Sequence, residues 1–280
     1  MKLGISFFSF DEDVELREAF EQVAKAGYAG VELVLGNTGA IRPNSTEQEL
    51  LDIRALAESY GLRVISVGAN NVWEHNLASE DPNQRAAAAE NIKRQITAAR
   101  ILGADIALVV PGWVSTPFAE GKVRYDLAYE NVKRELIGLE PFAREAGVSI
   151  AIENVWNQFL LSPIEMARFL DEIGSEYVGA YFDIGNIIYI GQPEQWIRIL
   201  GQRIKRLQFC DCRADGCGLN MFVDFFEGDV DFEEVMRAVG EIGYSGWGVV
   251  EFFPGYRRFP YQAVINGKLS MDTILSLPQK

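Results

Sequence analysis

Residues Val148–Trp156 read VSIAIENVW, and the rest of the chain can be read outward from this stretch. The segment Val148–Ile152 is short, apolar and rich in β-branched residues, and it follows Gly147 at the end of a helical pattern. Such a run is typical of a strand buried on both faces in a parallel sheet covered by helices. It ends in Glu153, whose carboxylate would cost several kcal/mol if it were buried without a partner. The stretch therefore predicts a buried parallel strand with a functional carboxylate at its end.

The same succession of strand, helix and glycine recurs along the whole chain. The predicted strands are Leu3–Phe8, Gly30–Leu35, Arg63–Gly68, Ile106–Val110, Val148–Ile152, Val178–Asp183, Ile204–Cys210 and Gly248–Phe253. The glycines that would end the helices in a left-handed conformation are Gly27, Gly61, Gly103, Gly147, Gly174, Gly201 and Gly243. Eight repeats without a linker predict an α/β fold, a single (β/α)8 TIM barrel over residues 1–280. An open doubly wound sheet is the alternative, but it usually has a glycine-rich turn where this chain has Ser9-Phe10-Asp11.

Two helix starts have the spacing of a capping box, in which a hydroxyl side chain and an acidic or amide side chain exchange hydrogen bonds with the backbone. They are Ser45-x-x-Gln48 and Ser162-Pro163-x-Glu165, the second with proline at the first helical position.

Composition and charge exclude several classes of partner. The chain has 280 residues, 48% of them apolar, and a formal net charge of −14, which disfavours nucleic acid and anionic membranes as partners. No apolar run reaches the roughly 18 residues that a membrane helix needs, and the N-terminus lacks signal-peptide features. Cys210, Cys212 and Cys217 form an odd, clustered set, which is a poor disulfide framework and predicts a cytoplasmic protein.

Four polar side chains are predicted at the ends of strands five to eight, namely Glu153, Asp183, Gln208 and Glu251. Active sites of such barrels lie at the C-terminal ends of the strands, so these side chains are expected to converge. Three carboxylates so close together must either retain protons or share a divalent cation, and a cation is the less costly solution at neutral pH. Oxygen ligands favour Mg²⁺ or Mn²⁺. The alternative is a structural ion-pair network with arginine or lysine.

Four motifs carry a family resemblance along essentially the whole chain: IENVW at residues 152–156, FDIGN at 182–186, EGDVDF at 227–232 and GYSGW at 243–247. With them the chain resembles the xylose-isomerase-like barrel superfamily of sugar isomerases and epimerases. The resemblance is to its ketose (or ketose-phosphate) 3-epimerase and hexulose-phosphate isomerase branch. It implies that Glu153, Asp183 and Glu251 are metal ligands.

The fourth ligand departs from the family pattern, because the expected histidine is replaced by Gln208. An amide oxygen is a weaker ligand than imidazole for Zn²⁺ or Co²⁺, so Mn²⁺ or Mg²⁺ is expected, with Co²⁺ and Zn²⁺ as alternatives. Two other outcomes stay open. The thiolate of Cys210 could replace the imidazole, since strand alternation places it on the same face as Gln208, or the site could have lost its metal.

The ligand types suggest a mechanism. A cation bound to the carbonyl and the neighbouring hydroxyl of an open-chain ketose would acidify the adjacent C–H bond. Glu153 and Glu251 would then act as an acid/base pair, which typically contributes ~10²–10⁴-fold per group. Removal and return of the proton on opposite faces would epimerise the carbon through an enediolate. Transfer between adjacent carbons on one face would instead interconvert an aldose and a ketose.

Six side chains are the candidates for substrate contacts: Glu32, His75, Trp113, Trp156, Asn186 and Arg213. The tryptophans could cover apolar C–H faces of a sugar, the arginine could hold a hydroxyl or a phosphate, and Glu32 and His75 could meet the far end of the substrate. The alternatives are packing at the rim for the tryptophans, a loop position for the histidine, and an ion pair with a neighbouring aspartate for the arginine.

Other functions on such a scaffold are weighed against the epimerase or isomerase. A keto-polyol dehydratase of the inosose type would use the same enolate but expel a hydroxyl. A DNA-repair nuclease needs several metal-binding histidines and a basic face, and this chain has one histidine. A non-catalytic sugar-binding protein is motivated by Gln208. The expected partners are a small sugar or sugar phosphate, with no nucleic acid and no membrane, and a homo-oligomer such as a dimer or tetramer is expected.

Overall fold

The computed structural model describes residues 1–215, 218–252, 255–256 and 258–278. Eight parallel strands form a closed barrel in the order β1-β10-β7-β6-β5-β4-β3-β2. The barrel strands are β1 (Lys2–Ser6), β2 (Gly30–Leu35), β3 (Arg63–Ala69), β4 (Ile106–Val109), β5 (Ser149–Glu153), β6 (Val178–Asp183), β7 (Ile204–Phe209) and β10 (Trp247–Val250). Two short strands, β8 (Asp211–Cys212) and β9 (Phe222–Val223), pair antiparallel beyond the end of β7. Because β1 pairs with both β2 and β10, the sheet has no edge, and the predicted TIM barrel is confirmed.

Eight helices alternate with the barrel strands and cover the outside of the sheet. They are α1 (Leu16–Ala26), α2 (Glu47–Ser59), α3 (Pro82–Leu102), α4 (Tyr125–Ala146), α5 (Pro163–Ile173), α6 (Pro193–Leu200), α7 (Phe232–Glu241) and α8 (Pro260–Leu275). Their apolar faces form one continuous buried layer with the outward-facing side chains of the strands. Within the described part of the chain, no helix has both the length and the apolarity that crossing a bilayer requires.

The local signals in the sequence are largely confirmed. All seven glycines predicted to end helices have positive φ, between 51° and 94°. Ser162 caps α5 by accepting a hydrogen bond from the Glu165 backbone N–H at 3.2 Å. The box predicted at Ser45 and Gln48 is wrong by one residue, since Thr46 and Glu49 exchange the capping bonds of α2. The Ser45 hydroxyl is already engaged, because it accepts from the Arg42 N–H in the preceding turn.

The inside of the barrel has a separate apolar cluster made of Ile65, Ile106, Leu108, Ala151, Tyr181 and Val249. The pairing of β2 with β3 shifts register, so that Val31 faces Val64 but Glu32 faces Ser66. Two consecutive residues of β3 therefore reach the interior. Ile65 joins the apolar cluster, and the Ser66 hydroxyl donates to Glu32 Oε2 at 2.7 Å. A Cβ at Gly4 would lie 2.4 Å from Ile65 Cδ1, so the glycine provides the room that Ile65 occupies.

A polar layer lies in the same interior. Glu32 is fully buried and accepts hydrogen bonds from the hydroxyls of Ser6, Ser66 and Tyr181 at 2.8, 2.7 and 2.5 Å. Burial raises the pKa of Glu32, and these three hydrogen bonds oppose the rise. The almost fully buried Arg206 donates to the Ile65 carbonyl at 2.7 Å and to Asp105 Oδ1 at 2.9 Å. Arg206 therefore joins β7 to β3 across the barrel.

Replacing this arginine should destabilise the fold. Arg206→Met removes two charge-assisted hydrogen bonds and leaves the Ile65 carbonyl without its donor, which should lower the free energy of unfolding by about 2–3 kcal/mol. Urea denaturation measures the change. Arg124→Met removes an ion pair that is exposed on both sides and should leave the midpoint unchanged. Equal midpoints for the two variants would show that the buried arginine adds no stability.

Candidate active site

The four side chains predicted to converge do lie at one end of the barrel, on four adjacent strands. Glu153 ends β5, Asp183 ends β6, and Gln208 lies in β7 directly opposite Asp183. Glu251 follows β10, and its backbone N–H donates to the Phe209 carbonyl of β7 at 3.0 Å. Asp183 and Gln208 are fully buried, whereas Glu153 and Glu251 line a cavity above them. These four side chains form the floor of the candidate site.

Burial raises the pKa of all three carboxyl groups, and the charge of Asp183 raises the pKa of both glutamates further. Burial is the main cause for Glu153, followed by the charges of Asp183 and Glu251, and it holds the pKa well above the usual range. The pKa of Glu251 is likewise raised well above the usual range, first by burial and then by the charge of Asp183. Burial raises the pKa of Asp183 to about 6. In the described part of the chain none of the three forms an ion pair with arginine or lysine, so the structural ion-pair alternative is not supported.

Three buried polar atoms on this floor have no hydrogen-bond partner in the part of the chain that the structure describes. They are Asp183 Oδ2 and both polar atoms of the Gln208 amide. The Gln208 amide lies near enough to oppose the rise in the Glu251 pKa, but it makes no hydrogen bond of normal geometry. Buried polar atoms nearly always have partners, so these atoms point to one that a bound ion or water would supply. Over residues 1–215, 218–252, 255–256 and 258–278, no group of three or more His, Cys, Asp or Glu side chains is placed so that it could hold a metal ion.

Amide side chains hold the floor in place. Asn154 and Asp183 exchange two hydrogen bonds, from Asn154 Nδ2 to the Asp183 carbonyl at 2.7 Å and from the Asp183 N–H to Asn154 Oδ1 at 2.9 Å. The Asn186 backbone N–H donates to Asp183 Oδ1 at 2.7 Å, and its side chain lies 3.4 Å from Glu153 Oε1. These bonds join the ends of β5 and β6 and fix the carboxylate of Asp183.

Cys210 also contacts the floor, but as a donor. Its thiol lies 3.2 Å from Asp183 Oδ1 and is fully buried. A hydrogen bond with Cys212 and then burial raise the pKa of Cys210 well above its ordinary value. A protonated thiol that donates to Asp183 does not support the idea that a thiolate replaces the missing imidazole. Cys212 packs with Trp156 and Met221, and Cys217 lies outside the described residues.

The cavity above the floor, here called the inner cavity, has a volume of about 310 Å³. Its polar lining includes Glu153, Glu251, Asn70 and Asn186, and its aromatic lining is Phe8, Trp73, Phe118, Trp156 and Phe222. The Phe118 and Trp156 rings are stacked, with centroids 6.4 Å apart and planes at 10°. The cavity therefore presents acidic groups below and apolar ring faces at its sides.

Two of the six predicted substrate-binding residues, Trp156 and Asn186, line the inner cavity. Trp113 lies behind the wall, where its ring packs against Trp73 with centroids 5.7 Å apart. Glu32 lies within the barrel and is saturated by its three hydroxyl donors. Neither Trp113 nor Glu32 is part of the cavity lining.

The other two predicted residues face away from the inner cavity. His75 lines a separate small cavity, with Nδ1 3.3 Å from Gln84 Oε1. Arg213 is exposed, and its Nε donates to the Glu227 carbonyl at 3.2 Å. The structure thus gives neither residue a contact with the cavity above the carboxylates.

Sequence reasoning missed most of the aromatic wall. Phe8 lies two residues beyond the end of β1, so the rule that selects residues at strand ends could have found it. Trp73 lies between Asn71 and His75 in the loop after β3, and could have been found in the same way. Phe118 and Phe222 come from longer connections without any motif.

The barrel fold agrees with the family that a comparison with known proteins finds. The family model described as xylose isomerase-like TIM barrel matches residues 20–266. The chain belongs to this xylose isomerase-like family. The family resemblance predicted from the motifs is thereby confirmed.

Two relatives of known name align with nearly the whole chain. Fructoselysine 3-epimerase of Shigella flexneri is 25% identical over 276 residues, covering 93% of each chain. Inosose dehydratase of Lacticaseibacillus casei is 24% identical over 291 residues, covering 96% of this chain and 92% of the enzyme. Among solved structures, the IOLI protein with a bound zinc atom superposes with a TM-score of 0.81 at 18% identity, covering 99% of this chain and 98% of that chain.

The raised pKa of Asp183 should make the metal-free protein less stable as pH increases. Its folded-state pKa is about 6, above the unfolded value of about 3.9, so the folded state holds the extra proton between these values. Stability should therefore fall as pH rises through this window, by about 1.4 kcal/mol per pH unit for one proton. Asp183→Asn should remove this part of the slope, which urea denaturation in EDTA from pH 4 to 7 measures.

Asp171→Asn is the matched control for this slope. A hydrogen bond from Arg203 lowers the pKa of the exposed Asp171, so it stays ionised over this pH range. The control should keep the wild-type slope. A slope that is the same in all three proteins would contradict the pKa assigned to Asp183.

Proposed function

We propose that this chain is a divalent-metal-dependent sugar or sugar-phosphate isomerase or epimerase that acts through an enediolate at the carbon next to a ketose carbonyl. One observation carries the proposal. Glu153 at the end of β5 and Glu251 just after β10 are separated by β6 and β7, both have a raised pKa, and both line the inner cavity. Two carboxyl groups that reach one cavity from different strands can work on two sides of the same substrate carbon.

The shift of both glutamates has the direction that favours proton transfer, because it moves their pKa from the acidic range toward neutral pH. A group is most effective as acid or base when its pKa lies near the working pH. One glutamate takes the proton from the carbon, and the other returns a proton to the opposite face, which inverts the centre. If a single face is used and the proton moves to the neighbouring carbon, the product is an aldose.

The floor residues fit a divalent cation. Glu153, Asp183, Gln208 and Glu251 would hold it, because the charge of Asp183 repels both glutamates. In addition, Asp183 Oδ2 and Gln208 Oε1 have no hydrogen-bond partner among the described residues. Such an ion supplies Lewis-acid polarisation of a substrate carbonyl. Oxygen donors favour Mn²⁺ or Mg²⁺ over Zn²⁺ or Co²⁺. If the purified protein is inactive and EDTA does not affect it, the alternative of a metal-free sugar-binding protein is supported.

The remaining lining positions the substrate. Asn186 lies against Glu153 and orients its carboxylate. Trp156, Trp73 and Phe118 offer ring faces to the C–H groups of a sugar, and their close packing limits the water that can reach the floor. A dimer or tetramer in the cytoplasm stays a prediction from the sequence.

A keto-polyol dehydratase is the second candidate, and the likeness to inosose dehydratase over 96% of this chain favours it. Both reactions begin when a base removes a proton beside a carbonyl. They differ in outcome, since the dehydratase releases water and the epimerase returns a proton. Incubation of a ketose and of an inosose in D₂O separates the two, because an epimerase incorporates deuterium without loss of water.

Removing one acid/base group should abolish turnover. Glu251→Gln should reduce deuterium incorporation by about 10²–10⁴-fold and leave the circular dichroism spectrum unchanged. Mass spectrometry of the recovered ketose measures the exchange. Glu58→Gln, which alters an exposed glutamate on α2, should keep wild-type activity. Full activity of the Glu251 variant would remove that residue from the mechanism.

Restoring the family ligand should strengthen metal binding. Gln208→His replaces an amide by an imidazole and should lower the Kd for Zn²⁺ about tenfold, with a smaller change for Mg²⁺. Calorimetry on protein stripped with EDTA measures both constants. Unchanged affinity for both ions would indicate that residue 208 does not face the metal.

A further inference from the structure

We infer that a second cavity beside the inner one holds the unreacting end of the substrate, which is a ketose carrying an arm that is not anionic. The inference rests on the proposed function and specifies its substrate class. This outer cavity has a volume of about 300 Å³, nearly that of the inner cavity. Phe8 and Asn70 line both cavities, so the two share a wall.

The boundary between the two cavities is held in place by hydrogen bonds and close packing. The Asn70 side-chain amide donates to Glu12 Oε1 at 2.8 Å, and the Thr38 hydroxyl donates to the other oxygen of Glu12. A Cβ at Gly36 would lie 2.4 Å from Asn70 Oδ1, so only glycine leaves room for this side chain. Asn70 is thereby held between the carboxylate of the outer cavity and the space above the catalytic floor.

Size argues for a substrate longer than a free ketose. Binding cavities for small molecules typically have volumes of about 300–1,000 Å³, and the inner cavity alone lies at the lower end of that range. The outer cavity doubles the space, and its inner surface is largely apolar, with Phe7, Phe10, Val14, Leu33 and Ile41. Such a surface suits the methylene groups of an arm rather than further sugar hydroxyls.

Charge argues against a phosphate. The outer cavity is lined by Asp11 and Glu12, and the inner cavity by Glu153 and Glu251. Among the described lining residues of both cavities there is no lysine or arginine. Arg213, the predicted phosphate contact, is turned toward Glu227 instead. The charged groups among the described residues of both cavities are all carboxylates, so they would repel a phosphate, whereas an amine on the arm would be attracted by them.

A binding experiment tests this assignment without requiring turnover. Tryptophan fluorescence, sensitive to Trp73 and Trp156 in the inner cavity, reports the Kd of three ligand types with Mg²⁺ present. They are a ketohexose, its 6-phosphate, and the same ketose with a short aminoalkyl arm at C1 or at C6. Burial of two methylene groups should make one of the arm-bearing ketoses bind about tenfold more tightly than the free ketose. The 6-phosphate should bind more weakly than the free ketose.

Two variants locate the arm. Val34 lines the outer cavity only, and Val34→Phe should reduce the advantage of the arm-bearing ketose by filling that space. Glu12→Gln should reduce it by up to about fivefold, the size of an exposed charge pair. Asp13→Asn, next to Glu12 but not part of the lining, is the matched control and should bind all ligands as the wild type does.

The outcomes separate this inference from the proposed function. Equal affinity for free and arm-bearing ketoses, or an advantage that survives both variants, would overturn the second cavity as a subsite. Tighter binding of the 6-phosphate would overturn the charge argument. Deuterium exchange of the free ketose, followed in parallel, tests the proposed chemistry alone. If the ketose exchanges deuterium but the arm brings no gain in affinity, the proposed chemistry is supported and the subsite is rejected. If the arm brings a gain in affinity but no deuterium is exchanged, the subsite is supported and the proposed chemistry is rejected.

Discussion

Three carboxyl groups, one fully buried and two partly buried, share the end of this barrel without a basic partner among the described residues. Burial raises the pKa of Glu153, Asp183 and Glu251, and the charge of Asp183 raises the pKa of both glutamates further. Such a group is tolerated in a folded protein only if protons or a cation compensate the charge. The neighbouring Gln208 adds two more polar atoms that have no partner among the residues described, so these atoms are free to bind an ion or water.

The surrounding residues fix the side chains of that floor and enclose the space above it. The reciprocal bonds between Asn154 and Asp183 fix the ends of two strands, and Asn186 adds a contact to Glu153. Rings from several loops form the wall above, which restricts water and strengthens the electrostatic interactions below. A repulsive cluster that is held rigidly and kept partly dry is the arrangement expected where protons are moved at a carbon atom.

The barrel could be predicted from sequence because its strands are buried on both sides and its helices end at glycine. The floor could also be placed on four adjacent strands, since a carboxylate after an apolar run has no packing role. How its atoms satisfy one another could not be predicted, as the unpartnered Gln208 amide shows. Glu32 illustrates the limit, because a residue within a strand can face the barrel interior and bind hydroxyls there. The positions of His75 and Arg213 depend on loop conformation, which strand and helix periodicity does not encode.

The network around Glu32 has a mechanical consequence. Tyr181 extends from β6 to Glu32 on β2, and these strands lie on opposite sides of the closed barrel, while Ser6 and Ser66 bind the same carboxylate from β1 and β3. Moving β2 and β6 apart would break the bond between Tyr181 and Glu32, so this network opposes deformation of the barrel along that diameter. The separation of the acidic groups at the mouth is thus set by a brace inside the barrel before any ligand arrives.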